Sequence, residues 1–320
     1  MDERTWSAAE IATIVEQGMF RDAAEEEILM AAAPCIDKAS RPDLSGLTSL
    51  AVMTDPTKAT DLLRENGLLQ VDGLLKPDTV SALLAHITKC LVDARSAAEE
   101  ALQGQRFFAN VRQPVNSAGD QVRCDLKLEL LPPVVAAVTE ALAPLKAVHI
   151  ATLGAAAELF ELGALVSDPS ALRQCVHADT GYTSEPIACS TFIALQDIDE
   201  DMGPTVFIPT THQEYEAHIA LQAREPAPGS YSSMTDRERL LQGRPNHVAT
   251  LSSGDAIMFD SRVLHCGTAN TSIRRRVIFY FSFRAKGGEL GQRAAEATPT
   301  GTLLEGAAWG TSLLGTKEHT

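Results

Sequence analysis

Two residues near the middle of the chain, His177 and Asp179, could share one cation. Side chains two apart on a β-strand point to the same face. A strand over residues 172–179 would therefore present an imidazole and a carboxylate together. Two ligands make a poor metal site, so a third must come from elsewhere in the chain. His265 is the best candidate. Two imidazoles and one carboxylate on one side of a metal leave its other positions open, the facial arrangement of non-heme Fe(II) oxygenases.

A second chemical feature lies just beyond. Arg274-Arg275-Arg276 opens an apolar run, Val277-Ile278-Phe279-Tyr280-Phe281. In a strand, residues 274 and 276 share one face and 275 takes the other. A guanidinium turned inward needs an anionic partner and offers a planar fork to a carboxylate. A metal with open positions beside a buried arginine suits a small dicarboxylate that chelates the metal at one end. The alternation alone leaves both Arg274 and Arg276 available for that role. The other histidines are not read as ligands. His86 and His149 fit surface or core positions, and His212, His218 and His247 lie in or beside a polar insert.

The elements that must position these groups follow from the pattern along the chain. With 320 residues, 45% of them hydrophobic, the sequence can bury a large core. The net charge of −15 repels phosphate backbones and anionic lipid, so neither nucleic acid nor membrane is an expected partner. No apolar run reaches the ~20 residues of a membrane span. The first residues lack a basic stretch leading into an apolar one, and the six cysteines show no Cys-x-x-Cys spacing. A cytoplasmic location with reduced thiols is the expectation.

Residues 1–56 read as a helical extension. Helices are expected over 7–18, opened by the capping pattern Ser7-x-x-Glu10, and over 21–33, with an irregular stretch at 34–56. No chemistry is legible there; the helices suit packing or dimerisation. From 57 a short helix closes at Gly67, and a strand covers 68–73. A helix runs from Pro77 towards Gly104 with Val80, Leu83, Leu84, Ile87, Cys90 and Leu91 on its apolar stripe. A further helix spans Val134–Leu142, bracketed by Pro133 and Pro144. From Ala156 the texture changes to short strands separated by turn residues at 167–170, 203–205 and 254–255. This pattern predicts a mainly β fold with flanking helices, a barrel or sandwich of jelly-roll type, over residues 57–290. The segment 211–247 is a long polar insert with Tyr215, Tyr231 and a charged run at 236–239, suited to a lid. Residues 291–320 form a tail.

Four stretches together resemble the phytanoyl-CoA dioxygenase family: Gln174-x-x-His177-x-Asp179, Gly203-Pro204-Thr205-x-x-x-Pro209, Gly254-Asp255, and His265 followed by Asn270 and Arg276. The likeness covers residues 60–285. It implies a double-stranded β-helix (jelly-roll, cupin-like) core, Fe(II), O2 and 2-oxoglutarate as cosubstrate. It implies His177, Asp179 and His265 as iron ligands. Arg276 would bind the far carboxylate of 2-oxoglutarate, with Arg274 the alternative. Gln174 and Thr205 match positions that touch the cosubstrate in relatives. The implied reaction oxidises a C–H bond of a small organic molecule, foremost by hydroxylation, and releases succinate and CO2. Asp179 stands where halogenating relatives carry a small residue, which disfavours halogenation. The sequence departs from the family at Pro209-Thr210-Thr211-His212, where Pro-Gly-Ser-His is commoner, and at Cys266. A metalloenzyme of the same fold that uses no 2-oxoglutarate (an isomerase or lyase) and a binding protein with a vestigial site are the competing readings.

Overall fold

The computed structural model describes residues 55–96, 122–171, 173–174, 176–222 and 245–297. The expected helices over 7–33, the Gly104 helix end and the centre of the insert lie outside these residues, as does the chain beyond 297.

Helix α1 (Pro56–Asn66) starts where local chemistry allows. Asp55 caps it, accepting from the amides of Thr57 and Lys58 at 3.1 Å each, and Pro56 follows at the first turn, where its missing N–H costs nothing. Gly67 ends it in the left-handed conformation, donating to the Leu63 carbonyl, as a C-terminal glycine does. Strand β1 (Leu68–Val71) and helix α2 (Pro77–Ser96) follow. The α2 stripe of Val80, Leu83, Ile87, Leu91 and Ala94 is buried.

Strand β2 (Arg123–Lys127) lies in a stretch that the sequence pattern left unassigned. Helix α3 (Pro132–Leu153) is far longer than the expected Val134–Leu142 and passes through Pro144. Proline inside a helix forfeits one backbone bond and costs ~3 kcal/mol. Eight buried residues from Val134 to Leu153 offset that cost. The side chain of Glu140 adds a tie to α2, accepting from the Lys76 amide and the Thr79 hydroxyl. Helix α3 is also long and apolar enough to cross a membrane, which corrects the expectation that no such run exists. Here it packs on the sheet.

The remaining elements are strands β3 (Glu158–Ser167), β4 (Ala188–Ala194) and β5 (Thr205–Ile208), helix α4 (Tyr215–Gln222), strands β6 (His247–Val248), β7 (Ala256–Asp260), β8 (Leu264–Gly267) and β9 (Arg276–Arg284), and helix α5 (Gly288–Ala297). One antiparallel sheet has the order β1-β7-β4-β9-β3-β2, and a smaller one the order β6-β5-β8. This is the expected jelly-roll arrangement, with α1, α2 and α3 packed into the core of the larger sheet. The insert begins as the helix α4, and α5 packs Leu290 and Ala294 against Ile187 and Ala285, so the packed unit extends past residue 290.

Alternation on β9 sorts the large sheet into two faces. Phe279, Phe281 and Phe283 are buried in the main core, with the ring of His149 beside Phe283 at 4.9 Å. Each such phenylalanine contributes roughly 1.5–3 kcal/mol by burial. His149 is a core histidine, as expected, and burial lowers its pKa to about 3. Arg276, Tyr280 and Ser282 face the other way, into a cavity between the two sheets.

Candidate metal centre and cosubstrate pocket

The stretch before Asp179 is not the expected strand. His177 makes an isolated antiparallel bridge with His265, and Asp179 sits in the bend that follows. The convergence is reached by that bridge rather than by side-chain alternation. Asp179 is anchored through its own amide, which donates to the Ser261 carbonyl at 2.9 Å, as does that of Thr180 at 3.1 Å. His265 comes from β8.

The outcome is a tight cluster. The Asp179 Oδ1 lies 3.8 Å from His177 Nε2 and 3.5 Å from His265 Nε2. One ligand atom from each of the three residues lies within 4.8 Å of the others, and the trio could hold a metal ion. His265 is enclosed by Phe207, Phe259 and Phe192. Burial there lowers its pKa to about 4, so the ring is neutral near pH 7. Its Nδ1 lies 2.9 Å from the Val263 carbonyl. A proton on Nδ1 leaves the Nε2 lone pair aimed at Asp179, the second-sphere device that orients metal-binding histidines. Burial also raises the Asp179 pKa, against the opposing pull of His177. A cation there would reverse that bias.

Arg276 is the inward arginine. It is 1% exposed. It donates through Nη1 to the Gly203 carbonyl and through Nη2 to Ser167 Oγ at 3.0 Å. Its Nε is buried with no partner. No carboxylate neutralises it among the described residues. Burial, reinforced by Arg123, holds its pKa well below the usual arginine range. An uncompensated buried guanidinium of this kind fits a ligand carboxylate. Gly203 is essential to the cradle: it has φ 72°, and a Cβ would come within 2.6 Å of the Thr268 carbonyl.

Arg274 does not share this role. Residues 268–275 form a loop, and the strand begins only at Arg276, so alternation does not carry back to 274. Its guanidinium is half exposed and pairs with Asp199 and Asp201. Arg275 pairs with Asp168. Asn270 organises the loop, donating to the carbonyls of Ser167 and Arg274.

Gln174 and Thr205 both line the cavity with the triad and Arg276. Gln174 Oε1 accepts from the Gly267 amide at 3.0 Å. Cys266 points away and packs with Val176, Val206, Ile208, Val248 and Leu264. His212, His218 and His247 bond to Arg64, Thr211 and Gln70 and stand outside the cluster. The cavity measures about 250 Å³ and is also lined by Asp125, Glu161, Leu165, Ser190, Phe192, Tyr280 and Ser282. Reasoning from the sequence missed these. The one available signal was an acid in the middle of each of two strands, Asp125 in β2 and Glu161 in β3.

The model of the phytanoyl-CoA dioxygenase family matches residues 63–278. The chain belongs to that family. It is accordingly an enzyme dependent on Fe(II), 2-oxoglutarate and O2. No curated protein matches the sequence. Among solved structures, the chain is similar to the non-heme alpha ketoglutarate dependent epimerase SnoN from nogalamycin biosynthesis (TM-score 0.50, 17% identity, 72% of this chain and 84% of that one). It is similar to the carbocyclase SnoK from the same biosynthesis (TM-score 0.51, 17% identity, 71% and 83%). A third is AviO1 from Streptomyces viridochromogenes Tue57 (TM-score 0.52, 15% identity, 73% and 96%). At these identities the likeness establishes the fold.

Proposed function

We propose that His177, Asp179 and His265 hold the Fe(II), that Arg276 takes the distal carboxylate of 2-oxoglutarate with Gln174 and Thr205 beside it, and that the enzyme hydroxylates a C–H bond of a small organic molecule. The observation that carries this reading is one cavity containing both the three-ligand cluster and a buried guanidinium with no carboxylate of its own. Bound iron and 2-oxoglutarate supply the oxidant by coupling O2 reduction to decarboxylation, leaving succinate and CO2.

The chain's own residues do the rest. Val263 keeps the His265 proton on Nδ1 and its Nε2 free to ligate. Gly203 and Ser167 fix the Arg276 fork before any ligand arrives, so little order is lost on binding. Phe192, Phe207 and Phe259 wall the His265 side and exclude water from it. Asp179 supplies the third ligand where a halogenating enzyme needs an open position. The catalytic unit is taken as residues 55–297, since Asp55 and Pro56 open α1, with the residues before it an appendage that could dimerise.

The test is succinate release under labelled O2. The wild-type protein with Fe(II), 2-oxoglutarate and substrate should release succinate and place one labelled oxygen atom in the product. Succinate without labelled product would refute hydroxylation and leave the cosubstrate assignment standing. Turnover independent of 2-oxoglutarate would refute both.

A further inference from the structure

The cavity has two chemically distinct sides. Register places Arg123, Ser167 and Arg276 on one rung of β2, β3 and β9, and Glu161 with Ser282 six rungs along. Six residues of strand span roughly 20 Å. Arg276 therefore marks one end and Glu161 the other, with Asp125 and Tyr280 between them. A bulge between Leu159 and Glu161 on β3 is the kind of irregularity that re-aims a side chain. Tyr280 donates to both Asp125 oxygens, at 2.9 and 3.0 Å, so Asp125 is held as an acceptor. Gly163 makes room for that contact, because a Cβ there would sit 2.8 Å from the Tyr280 ring. The Ser190 and Ser282 hydroxyls bond at 2.8 Å beneath.

This is a ligand cavity on independent grounds: the triad clusters in it, and the 1%-exposed Arg276 lines it with an Nε that has no partner. Charge is then the informative quantity. A divalent cation, one ligating carboxylate, a dianionic cosubstrate and Arg276 sum to zero, and Arg123, on the rung of Arg276 and donating to the Thr268 carbonyl, adds positive charge at that end. Asp125 and Glu161 line the cavity away from that end. Neither forms an ion pair among the described residues; Lys127, on the β2 face of Asp125, acts on both acids through its charge and lowers the pKa of each, against the larger effect of burial. Burial raises the pKa of Asp125 to about 6 and of Glu161 to about 7, and Asp179 adds to both. Buried acids in that state favour a cation that arrives with a ligand.

Resting on the iron and 2-oxoglutarate reading above, we propose that Asp125 and Glu161 form the substrate-recognition face of this cavity and select a molecule carrying a protonated amine. The oxidised C–H bond lies between that amine and the metal ligands. The chain's net charge of −15 works in the same direction, since it draws cations towards the cavity mouth.

The test uses the protein loaded with Fe(II) and 2-oxoglutarate without oxygen. Cyclohexylamine, benzylamine and 1,5-diaminopentane are titrated against it, each beside its N-acetyl counterpart. Binding is read by calorimetry, and the chelate by its visible charge-transfer band. The amines should bind and the acetylated forms should not. Asp125→Asn combined with Glu161→Gln should weaken amine binding at least about tenfold, with the band unchanged. Should the double variant not fold, each single variant must still weaken binding. The proposal is overturned if no amine binds, if acetylated compounds bind equally, or if the variants keep full affinity. Absence of the band from the wild-type protein would instead refute the metal and cosubstrate reading.

Discussion

His177 and His265 exchange both of their backbone hydrogen bonds. The His177 amide donates to the His265 carbonyl at 2.9 Å, and the reverse bond is 2.8 Å. Such a pair sits directly opposite across an antiparallel ladder, and the two rings lie 4.5 Å apart. The backbone pairing itself thus sets the two imidazoles side by side. This separates the enzyme from domains that fold only on metal binding. Chelation with EDTA should leave the far-UV circular dichroism unchanged. The melting temperature should fall only by the linkage between metal concentration and affinity. Loss of strand signal on chelation would show that the metal, and not the bridge, assembles the site.

Arg276 is a stability cost carried for binding. Its buried charge has no acid beside it, and replacing such a charge by an apolar side chain of similar size is often neutral or stabilising. Arg276→Met should melt no lower than the wild-type protein in the absence of ligand. It should bind 2-oxoglutarate ~30-fold to ~1000-fold more weakly, the usual consequence of deleting one partner of a buried charge pair. Thermal scans with and without 2-oxoglutarate measure both effects. Arg274→Ala should change neither, because Arg274 pairs with Asp199 at the surface.

Glu161 gives a pH signature. Its folded-state pKa of about 7 lies above the ordinary value of 4.5. Its ionised form is therefore disfavoured in the fold. The penalty is fully present above pH 7, shrinks as pH falls from 7 towards 4.5, and is gone below that. Glu161→Gln should be more stable than wild type at pH 8, by up to about 3 kcal/mol for a shift of this size. The advantage should vanish by pH 4.5. Denaturant melts of the metal-free proteins across that window decide it; a pH-independent difference would contradict the buried-acid account.

Thr210 occupies the place where the family commonly has glycine. It has φ 69°, a left-handed conformation unfavourable for a β-branched residue. Its hydroxyl makes only an exposed 3.3 Å contact with Glu214. Thr210→Gly relieves strain of ~1–3 kcal/mol and gives back ~0.5–1 kcal/mol in chain entropy. A net gain of about 1 kcal/mol is expected in chemical denaturation.

The jelly-roll was legible because β periodicity is a local pattern; the three candidate ligands were legible through residue type and the family motif, although the strand alternation expected to pair His177 with Asp179 does not occur. What was not legible depended on partners. Pro144 reads as a helix stop, but packing under the sheet carries α3 across it. Residues 172–179 read as a strand, yet only His177 finds a ladder partner. Arg274 and Arg276 share a strand face only if the strand includes both, and the loop held by Asn270 ends that equivalence. Asp125 and Glu161 could not be assigned to the cavity, since which face of β2 and β3 turns inward is decided by β9. The turn glycines Gly67, Gly203 and Gly254 were read correctly, each with positive φ.

The central claim is that His177, Asp179 and His265 bind one ferrous ion that 2-oxoglutarate then chelates. Anaerobic titration of the metal-free protein with Fe(II) in the presence of 2-oxoglutarate tests it most directly. The visible charge-transfer band should grow to a single equivalent of iron in the wild-type protein and fail to appear when both histidines are removed, in His177→Ala combined with His265→Ala. A wild-type protein without the band, or a double variant that retains it at the same stoichiometry, would contradict the assignment.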